Sequence, residues 1–265
     1  MVCKPGNHSY ESRIIGMYSE KFVRVAKISS EVLTSSDLNL GEIIYLATKK
    51  CIDSVNSNYN LGIILLCAPV LKALTEKHKS LRKGIKKILH GTNFNECNLI
   101  IRAIKYANPA GLKNYEGSSN ILKNKLNNKN IIEVMKVSST WDRISKCYVE
   151  DYSEILDFGL PLFINFRRRL SKKKAIQLLY LSYAANSMDS HILRKYGSES
   201  AKKVLKMFKV LNVKIFKNYK INYDRHIRFI DTYLKKLNLN PGTCADLTVT
   251  TLLIYKIKDI FYEPL

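Results

Sequence analysis

The chain has 265 residues, 46% hydrophobic and 25% charged, with 44 Lys and Arg against 22 Asp and Glu for a net charge of +22. The hydrophobic share supplies a substantial core and excludes global disorder, while the positive excess predicts attraction to polyanions: nucleic acid, an anionic surface, or a substrate carrying several phosphates. Six scattered cysteines with no Cys-x-x-Cys pair argue against a zinc knuckle or a secreted disulfide framework.

In chain order, Met1 to His8 reads as a polar turn, with no signal peptide. From Ser19, apolar residues Phe22, Val23, Ala26, Ile28, Val32 and Leu33 recur at three- and four-residue spacing, which predicts a helix. A second helix is expected over Leu40–Val55, with Ile43, Ile44, Leu46, Ala47 and Cys51 on its buried face. The polar loop 56–60 ends in Asn60, a natural N-cap for the apolar stretch Leu61–Leu74. Pro69 lies inside that stretch and is expected to kink or split it. The longest apolar run, Leu61 to Leu71, is too short to span a bilayer.

Helices are expected next over Leu81–Leu89 and Phe94–Ala107, the latter stopped by Asn108-Pro109-Ala110-Gly111. Residues Asn114–Asn130 are rich in Asn, Lys and Ser and read as an exposed loop or weak helix. Further helical patterns cover Ser139–Val149, Tyr152–Leu170 (interrupted by Pro161), Lys172–Asn186, Glu199–Lys217 and Tyr223–Leu237. Asn240-Pro241-Gly242 signals a turn, after which Thr243 as N-cap and Asp246 three residues on form a candidate capping box for a last helix, Ala245–Tyr262. No stretch alternates with period two between hairpin turns. The expectation is an all-α, single multi-helix domain over residues 1–265, ten or more helices, cytoplasmic and without a membrane span.

Short segments pair Gly or Asn turns with polar groups that a structural bundle does not need. They are Lys4-Pro5-Gly6-Asn7, Asn58-Tyr59-Asn60-Leu61-Gly62, Asn108-Pro109-Ala110-Gly111-Leu112, the run from Asp189-Ser190-His191 through Arg194-Lys195-Tyr196-Gly197, and Asn240-Pro241-Gly242-Thr243-Cys244-Ala245-Asp246-Leu247. Together and in this order they resemble the triphosphoribosyl-dephospho-coenzyme A synthase family, particularly its archaeal-type branch, over nearly the whole chain. In place of the bacterial Thr-His-Lys-Gly segment this chain has Tyr59-Asn60-Leu61-Gly62, and His8-Ser9-Tyr10-Glu11 replaces family acids after the first motif.

The resemblance implies a helical enzyme that joins ATP to 3′-dephospho-coenzyme A with loss of adenine. A ribose hydroxyl of the acceptor attacks C1′ of the ATP ribose, and the oxocarbenium character of such a transition state asks for carboxylates nearby. Asp246 and Asp189 are the leading candidates, as base or as ligands of Mg²⁺. Asp189 has a structural alternative as N-cap or as partner of Arg194 or Lys195. Lys4, Arg194 and Lys195 are candidate phosphate binders. Asn7, Asn60, Asn240 and Thr243 are candidate hydrogen-bonding groups for phosphate or ribose, and Gly6, Gly62 and Gly242 would allow close backbone approach. Asp142 and Glu150 rank second, Asp142 reading first as a helix cap, and His8 and His191 are weak candidates for acid work on the leaving base.

Two other enzyme-like readings stand beside this one: a relative that uses another phosphorylated acceptor, and a non-catalytic relative that binds a nucleotide. A helical nucleic-acid-binding protein is the alternative from another class. It is disfavoured because the Tyr and Phe residues fall mainly in apolar helical stripes and no helix-turn-helix or zinc module is visible.

Overall fold

Asparagine is used throughout as helix punctuation. Asn39, Asn93 and Asn130 each accept a hydrogen bond from the amide three residues on, where Glu42, Glu96 and Glu133 return one to the cap's own amide. Asn56 and Asn108 end helices in the left-handed conformation that asparagine tolerates better than most residues. The protein is described here by a computed structural model covering residues 2–111, 129–217 and 223–260.

Among these residues there are twelve helices and no strand. They are α1 (Ser19–Leu33), α2 (Leu40–Val55), α3 (Leu61–Thr75), α4 (Leu81–His90), α5 (Phe94–Ala107), α6 (Ile131–Lys136) and α7 (Arg143–Val149). There follow a π-helical turn (Glu154–Gly159), α8 (Leu160–Arg169), α9 (Lys172–Asn186), α10 (Ser190–Lys217), α11 (Asp224–Lys236) and α12 (Gly242–Ile257). Every helix contributes to one buried apolar cluster. No helix among the described residues is long and apolar enough to cross a membrane.

Helices α3, α9 and α12 form the centre. Leu178 through Ala185 on α9 are all buried, so that helix has no polar face to turn to water. Helix α12 packs on α3, α8, α9 and α10, which is why a run of threonines can sit inside: Thr248, Thr250 and Thr251 return their hydroxyls to the carbonyls four residues back.

Pro69 does not split α3, which runs unbroken from Leu61 to Thr75. Proline leaves the Leu65 carbonyl without its usual amide, and the buried Tyr148 hydroxyl donates to it at 2.7 Å. Tyr152 does the same for the Leu66 carbonyl at 3.0 Å. Tyr148 thus replaces the one donor that the proline removes, and Tyr152 adds a further bond to the next carbonyl.

Other boundaries moved for local reasons. Helix α7 starts at Arg143 instead of Ser139, because the Asp142 carboxylate accepts from the Ile144 and Ser145 amides and fixes the first turn there. The motif segment after Asp189 is itself helical, and α10 breaks at Gly197 (φ +81°) before the expected stretch from Glu199 begins. Pro161 sits in the first turn of α8, where proline is tolerated. The polar stretch expected over Asn114–Asn130 lies largely outside the described residues; α12 ends at Ile257, and the end expected at Tyr262 falls outside them.

Candidate active site

A cavity of about 1250 Å³ opens between the N-terminal segment, α1, α3, α5, α6 and the first turns of α7, α10 and α12. It exceeds the ~300–1,000 Å³ of an ordinary single-ligand site. Gly62, Ile144, His191 and Thr243 all line it, so four helix starts, with their partial positive charge, face one space. All five motif segments contribute to its walls: Lys4 and Asn7, Asn58 to Gly62, Asn108 to Ala110, His191 and Arg194, and Asn240, Gly242, Thr243 and Asp246. The first and last are joined directly, Asn7 Nδ2 donating to Asn240 Oδ1 at 2.9 Å.

Asp246 is the carboxylate at the centre of this arrangement. A Cβ added to Gly62 would lie 2.0 Å from Asp246 Oδ2 and 2.7 Å from its Cγ, so the acid rests against the backbone of α3 in space that only glycine leaves. No described residue donates a hydrogen bond to its carboxylate. Burial pushes its pKa well above the usual carboxylate range; the negative charges of Asp189 and Asp142 push the same way, and Arg194 opposes them.

The expected Thr243–Asp246 capping box does not form. Helix α12 begins earlier, at Gly242, and its third amide, Cys244 N, is capped from elsewhere in the chain by Asp189 Oδ2 at 2.9 Å. Asp189 Oδ1 accepts from the His191 and Ile192 amides at 2.9 and 3.2 Å, so one buried carboxylate caps both α10 and α12. It stands behind the cavity wall and not on it. Thr243, freed from capping, is a wall residue.

Asn60 likewise occupies the N-cap position of α3 without capping it. Asn58 Oδ1 takes the Leu61 amide, and the Asn60 amide group turns inward to Ser29 Oγ at 3.3 Å and Cys51 Sγ at 3.6 Å. Lys4 faces the cavity, and among the described residues its ammonium has only the His8 carbonyl in hydrogen-bond reach, at 3.3 Å. Burial pushes its pKa down to about 8, Lys235 adds to that, and Cys3 opposes it. An ammonium buried without a carboxylate partner is an incomplete ion pair, which an incoming phosphate would complete.

Arg194 lines the cavity, donating to the Ala110 carbonyl at 2.9 Å and pairing with Asp142 Oδ2 at 3.2 Å. Asp142 is therefore both the cap of α7 and the partner of Arg194. Gly242 leaves room for the His191 ring, whose Nδ1 would be 2.8 Å from a Cβ there. Burial lowers the His191 pKa, with Arg194 and Lys195 adding and Asp189 opposing, so the ring near the cavity is neutral at pH 7. His8 is buried beside the site: its Nδ1 accepts from the Ile14 amide, and Nε2 meets Ser19 Oγ at 2.9 Å.

Three expectations fail on geometry. Lys195 is exposed and lies over the Tyr196 ring, outside the cavity wall. Glu150 pairs with Lys146 on the surface. Gly6 is buried and does not line the cavity; its φ of +77° turns the Lys4 loop, and Leu239 O would be 2.7 Å from a Cβ there.

Two supports were not visible in the motifs. Asp231 on α11, buried, takes the Gly6 amide, the Ser12 hydroxyl and Lys235. Its signal was available: with Ile227, Ile230 and Leu234 it falls on the buried stripe of a basic helix. Arg143 forms a buried bidentate pair with Glu154, approaches Cys244 Sγ at 3.1 Å, and donates its backbone amide to Ser190 Oγ at 2.8 Å. This locks the starts of α7, α10 and α12 together. Burial alone would lower the Arg143 pKa, but Cys244 and Glu154 outweigh it and hold it above its ordinary value.

No group of three or more His, Cys, Asp or Glu that could hold a metal occurs among the described residues. The donor set fits magnesium in a narrower way. Mg²⁺ is commonly held by one or two carboxylates with phosphates and water completing the shell, and Asp246 offers one carboxylate with no competing donor.

Compared with known proteins, residues 1–264 match the family model for ATP:dephospho-CoA triphosphoribosyl transferase. No curated protein matches the sequence significantly. Among solved structures, the chain is similar to a crystal structure described as a candidate triphosphoribosyl-dephospho-coA synthase from Archaeoglobus fulgidus. The TM-score is 0.69 at 20% identity, covering 89% of this chain and 98% of that one. At that identity the likeness speaks for the fold.

Proposed function

Because the chain belongs to the ATP:dephospho-CoA triphosphoribosyl transferase family, we propose that its transfer of the triphosphoribosyl group from ATP to 3′-dephospho-coenzyme A takes place in the 1250 Å³ cavity, around Asp246. The observation that carries this is the convergence of all five motif segments on a carboxylate that burial and two neighbouring acids make basic.

In the reaction the bond between C1′ of the ATP ribose and the adenine nitrogen breaks, and one between C1′ and an acceptor ribose oxygen forms. The acceptor hydroxyl must lose a proton, which Asp246 would take. When ionised, its charge would also favour the oxocarbenium character that develops at C1′. Lys4, Arg194 and the amide-rich starts of α3 and α12 would receive the triphosphate, with Asn7 and Asn240 bridging the entrance. Adenine departs with its electron pair and acquires a proton. His191 and His8, both kept neutral by burial, are poorly suited to supply it.

Magnesium entering with the triphosphate would be held by Asp246 and would neutralise phosphate charge. Metal binding and proton acceptance use the same lone pairs, so the magnesium dependence of the pH–rate profile separates the two uses. Asp189 acts through the helix starts it caps. Both substrates are polyphosphorylated and membrane-impermeant, which supports a cytoplasmic setting.

The test is adenine release from ATP with and without 3′-dephospho-coenzyme A, in the wild type and in Asp246→Asn. A coupled product should require both substrates, and the variant should lose about 10²–10⁴-fold in kcat while calorimetry still records ATP binding. A variant with wild-type turnover would remove Asp246 from the chemistry.

A further inference from the structure

The N-terminal segment reaches the cavity without regular secondary structure of its own: residues 2–18 contain only turns. Such a segment holds a side chain in place only if something else holds the segment. Side chains from α9 and α11 do so. Tyr180 donates to the Pro5 carbonyl at 2.7 Å, and Gln177 to the Cys3 carbonyl at 3.1 Å. Asp231 Oδ1 takes the Gly6 amide at 2.8 Å, and Oδ2 takes the Ser12 hydroxyl. Lys235 closes the ring, reaching Ser12 Oγ at 2.6 Å, its carbonyl at 2.7 Å and Asp231 at 2.9 Å.

We propose that Asp231 is a positioning residue for the triphosphate end of the site. By gathering the Gly6 amide, the Ser12 hydroxyl and the Lys235 ammonium it fixes the loop that aims Lys4 and Asn7 into the cavity. This rests on the reading of Lys4 as a phosphate ligand. Geometry supports it twice. Gly6 lies between Lys4 and Asn7, so a hydrogen bond on its amide sets the turn that carries both side chains. Asp231 also neutralises Lys235, which otherwise presents a second positive charge to Lys4. An i,i+4 Asp–Lys pair on a helix is usually a minor surface contact. Here both side chains are largely buried, at 5% and 14% exposure, and the loop passes between them and the cavity.

The experiment is steady-state kinetics of adenine release on the full chain, for Asp231→Asn, Lys4→Ala and the double variant, with circular dichroism to confirm helix content. Removing charge-assisted hydrogen bonds of this kind predicts a rise of about tenfold in KM for ATP, with kcat held within about threefold and KM for dephospho-coenzyme A little changed. In the Lys4→Ala background, Asp231→Asn should add less than about twofold, because the residue it positions is gone. Asp231→Glu, which keeps the charge, should recover part of the loss. If Asp231→Asn does not fold, Ser12→Ala removes one arm of the clasp and should raise the same KM by about threefold.

Equal loss from Asp231→Asn with and without Lys4 would overturn the proposal and leave the site reading intact, since the residue would then be acting on the fold alone. An unchanged KM in Asp231→Asn, or in Ser12→Ala where that variant stands in for it, would overturn it likewise. An unchanged KM in Lys4→Ala would also overturn it, and would in addition remove Lys4 from the phosphate site.

Discussion

Gly62→Ala is the sharpest perturbation of the site, because its effects on folding and on chemistry point in opposite directions. Gly62 is the second residue of α3, where alanine is favoured over glycine by about 1 kcal/mol of helix propensity. Its backbone needs no positive φ. The new methyl carbon would lie 2.0 Å from Asp246 Oδ2, where ordinary contact begins at 3.4 Å, so the carboxylate must retreat by 3.4 − 2.0 = 1.4 Å. The atom displaced is the end of a side chain, so the shift is cheap for the fold. For the reaction it is expensive: displacements near 1 Å at reacting groups cost about 10²-fold. The expected result is kcat for adenine release down about a hundredfold, with thermal midpoint equal to or above wild type. The two readouts come from one sample, by product chromatography and a melting curve. Turnover within about threefold of wild type would show that the position of Asp246 against α3 does not matter to catalysis, and the mechanism built on it would fall.

Lys4 gives a pH prediction. Its pKa is about 8 against an ordinary 10.5, so it loses its charge as pH rises through 8. KM for ATP should therefore rise above pH 8 in the wild type, and Lys4→Arg, which stays charged, should flatten that rise. The same shift has a stability sign. Between about 8 and 10.5 the unfolded chain binds more protons than the folded one, so Lys4's contribution to stability increases with pH across that window. Tyr148→Phe should cost about 1–3 kcal/mol in urea unfolding by stripping the Leu65 carbonyl of its donor. In a Pro69→Ala background, where a backbone amide returns to that carbonyl, the cost should fall below about 1 kcal/mol.

The helical architecture was legible because apolar periodicity and asparagine punctuation agree along the chain; α2 and α5 begin and end where the pattern places them. The site was legible as a set of turns with unexplained polar residues. What escaped the sequence were relations between distant parts. Thr243 looks like a cap because nothing local shows that Asp189 already serves Cys244. Pro69 looks like a helix breaker because the tyrosine that serves the freed Leu65 carbonyl lies 83 positions further along the chain. Asp231 carries no local sign of the N-terminal loop whose Gly6 amide and Ser12 hydroxyl it accepts. In each case a tertiary partner set the use of a group that local spacing alone could not assign.

The hydrogen bond from Asn7 to Asn240 spans 233 positions. Neither end of this contact makes the cavity wall alone, so Lys4 and Asp246 face one space only once the start of α12 has docked against the N-terminal segment. A substitution that loosens that docking would therefore act on both sides of the cavity together.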